Sequence, residues 1–178
     1  YQVDGDNQKI YNLAGNYVKR FDEMYEKRQG LLLWGTVGTG KSYTAACIAN
    51  ELLDQMIPVV MTSFVKILQN IQKQDEAEYI AMLNSAKLLI LDDLGTERNT
   101  DYALEKVYNI IDSRYRSRKP LIVTTNLTLT ELKKPQDTAH ARIYDRLLEL
   151  CTPIACTGPN MRTRAGQEKL QLLKTMQV

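Results

Sequence analysis

Cysteine is scarce in this 178-residue chain, with three residues at positions 47, 151 and 156. They are odd in number and stand at no metal-ligand spacing, which excludes a fully paired disulfide framework and a structural zinc site. Cys47, Cys151 and Cys156 read as the reduced thiols of a cytoplasmic protein, two of them buried. Long apolar runs are also missing. Nothing approaches the roughly 20 residues of a membrane-spanning helix, so no membrane partner is expected. The N-terminus shows no signal-peptide pattern. Internal repeats and low-complexity tracts are absent.

What is present is ordinary in bulk. With 44% hydrophobic and 25% charged residues, the chain is expected to form one domain with a sizeable core. The net charge of +2 hides an asymmetry. Residues 1–111 carry 11 Lys/Arg against 15 Asp/Glu, whereas residues 112–178 carry 12 against 6. A basic C-terminal third suits an anionic partner, although a solvated basic face is the more common explanation.

The chemistry concentrates at residues 31–42. The apolar run Leu31-Leu32-Leu33-Trp34 leads into Gly35-Thr36-Val37-Gly38-Thr39-Gly40-Lys41-Ser42, and a helix-like stretch from Tyr43 to Asp54 follows. Gly-x-x-x-x-Gly-Lys-Ser between a strand and a helix is the P-loop arrangement. Its glycines let the backbone curl around a phosphate chain, and the loop amides with the helix N-terminus make a positive nest. Lys41 would reach the β/γ-phosphates of ATP and Ser42 would ligate Mg²⁺. A Gly-rich turn ending in Lys-Ser by chance arises in about one chain in a hundred of this length, and the flanking elements reduce that further.

Along the chain, Asp6 or Asn7 caps a helix over about residues 7–28, with Ile10, Leu13, Tyr17, Phe21, Met24 and Tyr25 at helical spacing and Gly30 ending the run. This is a packing helix. Residues 58–62 form a second strand, Ser63 caps a helix to Ile71, and residues 76–86 form another. Lys87-Leu88-Leu89-Ile90-Leu91-Asp92-Asp93 is the second landmark. Four consecutive aliphatics suit a strand buried on both faces, and two carboxylates at its C-terminal end sit where ligands bind in open α/β sheets. Asp92 would hold Mg²⁺, and Asp93 would orient or deprotonate the attacking water. Related ATPases commonly have Glu there, and Glu97 is a possible substitute.

Thr100 caps an amphipathic helix to about Arg118, with Leu104, Val107, Ile111 and Tyr115 on one face. Its basic end, Arg114, Arg116, Arg118 and Lys119, suits either the helix dipole or nucleic acid. Residues 121–126 form another buried strand, whose tip Asn126 would hold the lytic water or sense the γ-phosphate; beside the P-loop and the acidic strand, a turn-initiating Asn is the lesser alternative. A short helix at 128–134, a helix at 139–150 bearing Arg142 and Arg146 one turn apart, a strand at 152–157 and a terminal helix complete the pattern. Five strands separated by helices give an α/β fold: a three-layer α/β/α P-loop NTPase with a five-stranded parallel sheet.

Gly35–Ser42, Leu89–Glu97, Val123-Thr124-Thr125-Asn126, Arg142-Ile143-Tyr144-Asp145-Arg146 and the Gly158–Arg164 segment occur in an order and spacing that resemble the AAA+ domain of bacterial DnaC/DnaI-type replicative helicase loaders, with IstB transposition ATPases as close relatives. The resemblance spans about residues 7–165. It implies Asn126 as sensor 1, Arg146 as the arginine finger and Arg164 or Arg162 at the sensor 2 position. Tyr43 and Arg164 would join the P-loop in holding the nucleotide. It also implies ATP at a subunit interface, self-association through that site, single-stranded DNA binding and a ring-hexamer helicase partner in DNA replication. Residues 1–29 would be a packing region, 30–165 the P-loop core and 166–178 a C-terminal helix. No separate lid domain is expected, and a helicase-gripping region would precede Tyr1 in such loaders. A slow ATPase of the loader type is the favoured reading. An IstB-like transposition helper, a P-loop nucleotide or metabolite kinase and a non-hydrolysing ATP switch are the alternatives.

Overall fold

The computed structural model describes residues 8–96, 100–135, 137–158, 160–161 and 163. Its sheet is assembled in the order β2-β3-β4-β1-β5, from β1 (Gly30–Trp34), β2 (Val59–Ser63), β3 (Leu88–Leu94), β4 (Leu121–Thr125) and β5 (Cys151–Ala155). Every pairing is parallel. The three central strands are aliphatic and buried on both faces, as a parallel sheet covered by helices requires. The expected three-layer α/β/α architecture is therefore the observed one.

Each face has its own core. Leu31, Leu33, Leu88, Ile90 and Ile122 pack beneath α1 (Gln8–Lys19) and α3 (Lys41–Asp54). Leu32, Leu89, Leu91, Leu121 and Val123 pack on the opposite face. There they meet α4 (Phe64–Ile71), α5 (Glu76–Ser85), α6 (Asp101–Arg116), α7 (Leu129–Lys133) and α8 (Thr138–Leu150). The starts of α4 and α6 follow Ser63 and Thr100, the side chains expected to cap them, and the start of α7 is capped as well. Ser63 accepts from the Lys66 amide, Thr100 accepts from the Ala103 amide, and Thr128 forms a capping box with Glu131.

Two local expectations need correction. The helix expected over 7–28 is broken at Arg20, whose backbone (φ −111°, ψ 25°) is not helical, giving α1 and α2 (Phe21–Glu26). Gly30 is not a helix stop; it is the first residue of β1. A Cβ there would lie 2.2 Å from the Leu121 carbonyl oxygen and 2.8 Å from that of Leu150, so the central strand enters the sheet only because position 30 has no side chain.

The basic end of α6 is also not a free cationic face. Arg114 is fully buried and donates to the carbonyls of Ala86 (3.1 Å), Lys87 (2.9 Å) and Pro120 (2.7 and 3.1 Å). Burial pulls its pKa down to about 10, which leaves it charged at neutral pH. Lys119 donates to the Asn84 and Ser85 carbonyls, and Arg116 pairs with Asp112. Arg114 thus ties the ends of α5 and α6 to the starts of β3 and β4. Arg114→Ala strips these buried carbonyls of their donor and leaves a cavity, so equilibrium urea unfolding is expected to show a loss of about 3 kcal/mol or more. Of the four basic residues, Arg118 and the exposed head of Arg116 remain open to an anionic partner.

Candidate functional site

The loop between β1 and α3 curls through glycines with positive φ at 35, 38 and 40. Gly35 (φ 142°) requires glycine twice over, since a Cβ there would also lie 2.4 Å from the Cys156 carbonyl oxygen. Thr39 Oγ1 donates to the Thr36 carbonyl at 2.9 Å and ties the loop across itself. Lys41, only 5% exposed, bends back so that Nζ donates to the carbonyls of Gly35 (2.8 Å) and Thr36 (2.7 Å). Ser42, the second residue of α3, is half-buried.

The tip of β3 departs from a regular ladder. Leu91 pairs with Val123 and Leu94 with Thr125, so Asp92 and Asp93 together oppose the single residue Thr124. This two-against-one arrangement is a β-bulge, of the kind that re-aims side chains beside active sites. Asp93 adopts φ 57°, a left-handed backbone that Asp tolerates better than most residues. Thr124 Oγ1 accepts from the Asp93 amide at 3.0 Å and donates to Asp92 Oδ1 at 2.6 Å.

Because β4 lies between β1 and β3, the tips of all three strands meet the P-loop. Val37, Gly38, Gly40, Lys41, Ser42, Tyr43, Asp93, Thr96, Asn126 and Met161 line one cleft of about 270 Å³. Six residues of the sequence-identified loop and its helix start, the proposed base and the strand-tip Asn are thus brought together. Gly35, Thr36 and Thr39 form the loop's framework, and Asp92, next to Asp93 in β3, is not among the residues lining the cleft. The helix end, the backbone amides and one lysine make the cleft suited to a polyphosphate.

A model of the family described as IstB-like ATP binding protein matches residues 1–169. The chain belongs to this family. It is an ATP-binding AAA+ P-loop protein. Replicative helicase loader DnaI of Bacillus subtilis (strain 168) is 30% identical over 173 residues, covering 89% of this chain and 55% of that protein. Replicative helicase loader DnaC of Escherichia coli (strain K12) is 27% identical over 154 residues, covering 83% of this chain and 60% of the relative. The chain therefore spans little more than half the length of these relatives. A crystal structure of DnaI superimposes with a TM-score of 0.73 at 26% identity, covering 90% of this chain and 87% of that one.

In this IstB-like chain Arg146 lies away from the cleft. Its Nη1 donates to Glu149 at 3.0 Å, its Nε lies 3.5 Å from Asp112, and its guanidinium stacks over Tyr115 at 4.3 Å. Tyr115 in turn donates to Glu149 at 2.6 Å, and this bond is the main cause of the lowered Glu149 pKa. Arg142, one turn earlier, sits over Tyr108 at 5.3 Å. Arg146 thus makes a surface pairing with Glu149, joined by two residues of α6.

Glu97, Arg162, Arg164 and the terminal helix at 166–178 lie outside the described residues. Three contributors escaped the sequence reading. Thr96 lies in the Leu89–Glu97 segment but carries no expected role there. Met161 lies in a segment noted only for its arginines, yet its amide donates to the Gly38 carbonyl at 3.0 Å. Thr124 looked like one more strand residue. The cysteines are free; Cys156 lies against the P-loop, and burial raises its pKa to about 11, opposed by the nearby Lys41 charge, so it stays a thiol at neutral pH. Among the described residues no helix is long and apolar enough to cross a membrane.

Proposed function

We propose that this chain is the motor part of a replicative helicase loader, which hydrolyses ATP slowly and acts in the cytoplasm as an ATP-linked oligomer on single-stranded DNA. The observation that carries this reading is the convergence of the P-loop, Asp93 and Asn126 on one cleft in a chain related to two replicative helicase loaders. ATP would draw Lys41 off its two carbonyls and onto the β/γ-phosphates. Asp93 orients or deprotonates the attacking water, and Asn126 holds it or senses the γ-phosphate. Arg146 from a neighbouring subunit completes the charge on the transferring phosphoryl group.

The donor set fits Mg²⁺ arriving with the nucleotide. Among the described residues no group of three or more His, Cys, Asp or Glu could hold a metal by itself. A P-loop hydroxyl, Ser42, and one carboxylate, Asp92, with substrate phosphates are the usual protein share for this ion, which neutralises developing phosphate charge when bound.

The IstB-like family description leaves room for a second reading, the transposition helper that the IstB resemblance implies, whose protein partner would be a transposase. The full-length protein incubated with ATP and either replicative helicase or transposase separates the two, since a stable complex with only one partner decides between them. A kinase would transfer phosphate to a small acceptor. Phosphate release that single-stranded DNA stimulates, with no such transfer, is expected instead.

Asp93→Glu lengthens the base by one methylene. ATP affinity is expected to stay unchanged while single-turnover hydrolysis rises severalfold, because reach rather than basicity limits the rate. A slower variant would show that the left-handed backbone at position 93, which suits Asp better than Glu, sets the water geometry.

A further inference from the structure

We propose that Thr124 is the positioning residue of the hydrolytic site, its hydroxyl fixing both the Asp92 carboxylate and the Asp93 backbone. This rests on the ATP-hydrolysis reading above and goes beyond it.

The argument begins with the bulge. Two residues of β3 face one residue of β4, so the ladder alone does not pair every polar group there. Thr124 supplies the missing partner. A hydroxyl has one proton and two lone pairs, and here it accepts from the Asp93 amide at 3.0 Å. Its single proton goes to Asp92 Oδ1 at 2.6 Å, a short charge-assisted bond. One atom therefore sets the rotation of the carboxylate proposed to hold the metal and the backbone direction of the residue proposed to activate water.

The surroundings make that atom hard to replace. Thr124 is fully buried, which leaves no water to take over either bond. By strand alternation Thr124 follows Ile122, and Asp92 follows Leu88 and Ile90, on the face covered by α3. That is the helix carrying Lys41 and Ser42. Its neighbour Thr125 does a different task. Thr125 Oγ1 donates to the Leu94 carbonyl at 2.8 Å and accepts from the Leu127 amide at 3.1 Å, holding the far side of the bulge and the turn that carries Asn126. Thr125 supports backbone around the bulge and the Thr96 hydroxyl donates to the Asp93 carbonyl at 2.7 Å, whereas the Thr124 hydroxyl bonds both to the Asp92 carboxylate and to the Asp93 amide.

Thr124→Ala and Thr124→Ser test this, because both lose the methyl group and differ only in the hydroxyl. Each is compared with wild type for thermal unfolding, for affinity toward a fluorescent ATP analogue in EDTA, for the Mg²⁺ concentration that gives half the Mg²⁺-dependent gain in that affinity, and for single-turnover hydrolysis. Thr124→Ala is expected to keep its affinity in EDTA and its KM for ATP. Its Mg²⁺ requirement should rise severalfold and its hydrolysis should fall about tenfold, the effect of one lost charge-assisted bond. Thr124→Ser should restore both. A purely structural role would lower the unfolding temperature and the EDTA affinity together and leave the Mg²⁺ requirement unmoved. Equal Mg²⁺ requirement and equal rate in the Ala and Ser variants overturn the proposal. If Thr124→Ala does not fold, Thr124→Val, which fills the same space without the hydroxyl, takes its place against wild type. A wild type that binds but never hydrolyses ATP overturns the hydrolysis reading instead, and the Mg²⁺ arm still decides the role of Thr124.

Discussion

Lys41→Ala is expected to lower ATP affinity or turnover by at least about tenfold. The size of the effect follows from the loop's composition: among Gly35–Ser42, Lys41 is the only residue with a charged side chain. Its ammonium already sits within the curl, donating to the Gly35 and Thr36 carbonyls, and is almost entirely shielded from solvent. A charge so enclosed interacts with phosphate more strongly than one in water. The truncation also takes the donor from two loop carbonyls, so some loosening of the free loop accompanies the loss. Lys41→Met keeps most of the stem and removes only the charge. Calorimetric titration with ATP and a phosphate-release assay on both variants separate charge from packing. Wild-type hydrolysis in Lys41→Ala would show that ATP is not turned over in this cleft with Lys41 on its phosphates.

The parts of this molecule that were legible in its sequence are those that local chemistry dictates. A Gly-rich loop between an apolar run and a helix has few other meanings, and four aliphatics before two aspartates form a strand that must be buried on both faces. Ser63 and Thr100 announce helix starts because a side-chain oxygen at that position satisfies an orphan amide. What stayed hidden depends on elements distant in sequence. The strand order places β4 between β1 and β3, which is why Asn126 reaches the cleft, and no periodicity encodes it. Arg114 stands among basic residues at a helix end and looks solvated. It is buried because the backbone carbonyls of Ala86, Lys87 and Pro120 converge on it. Gly30 looked like a helix stop because its neighbours in β4 and β5 are about 90 and 120 residues away in the chain.

The acidic pair shows both sides of this limit. Its position after a buried strand was readable, but the bulge that places Asp93 in a left-handed backbone was not. That conformation favours short polar side chains, so an Asp where related ATPases carry Glu has a conformational reason as well as a catalytic consequence. On the proposed roles, the site is a compromise between backbone geometry and reach, adjusted from β4 by the buried Thr124 hydroxyl.

Arg146→Ala is expected to leave folding and ATP binding by the monomer nearly intact while lowering oligomer-dependent hydrolysis by about tenfold to a hundredfold. The first half follows from the local contacts. Glu149 is exposed, and an exposed ion pair contributes little stability; buried Asp112 keeps its pairing with Arg116 at 2.8 Å. The second half follows from placement. Arg146 is held against α6 by Tyr115, Asp112 and Glu149 and is not among the residues lining its own chain's cleft. A guanidinium is always charged and offers a planar fork of donors, so it suits a neighbour's γ-phosphate. Such fingers contribute about 10³–10⁵ in rate in the best-studied GTPases, and a slower ATPase draws a smaller share. Mixing tests the assignment directly. Arg146→Ala subunits keep an intact P-loop and lack the finger, whereas Lys41→Ala subunits lack the P-loop charge and keep the finger. Where the two meet, the first can bind ATP and borrow Arg146 from the second, so activity should return in part although neither variant hydrolyses efficiently alone. Mixtures that demonstrably co-assemble and recover nothing would show that Arg146 does not act across a subunit interface.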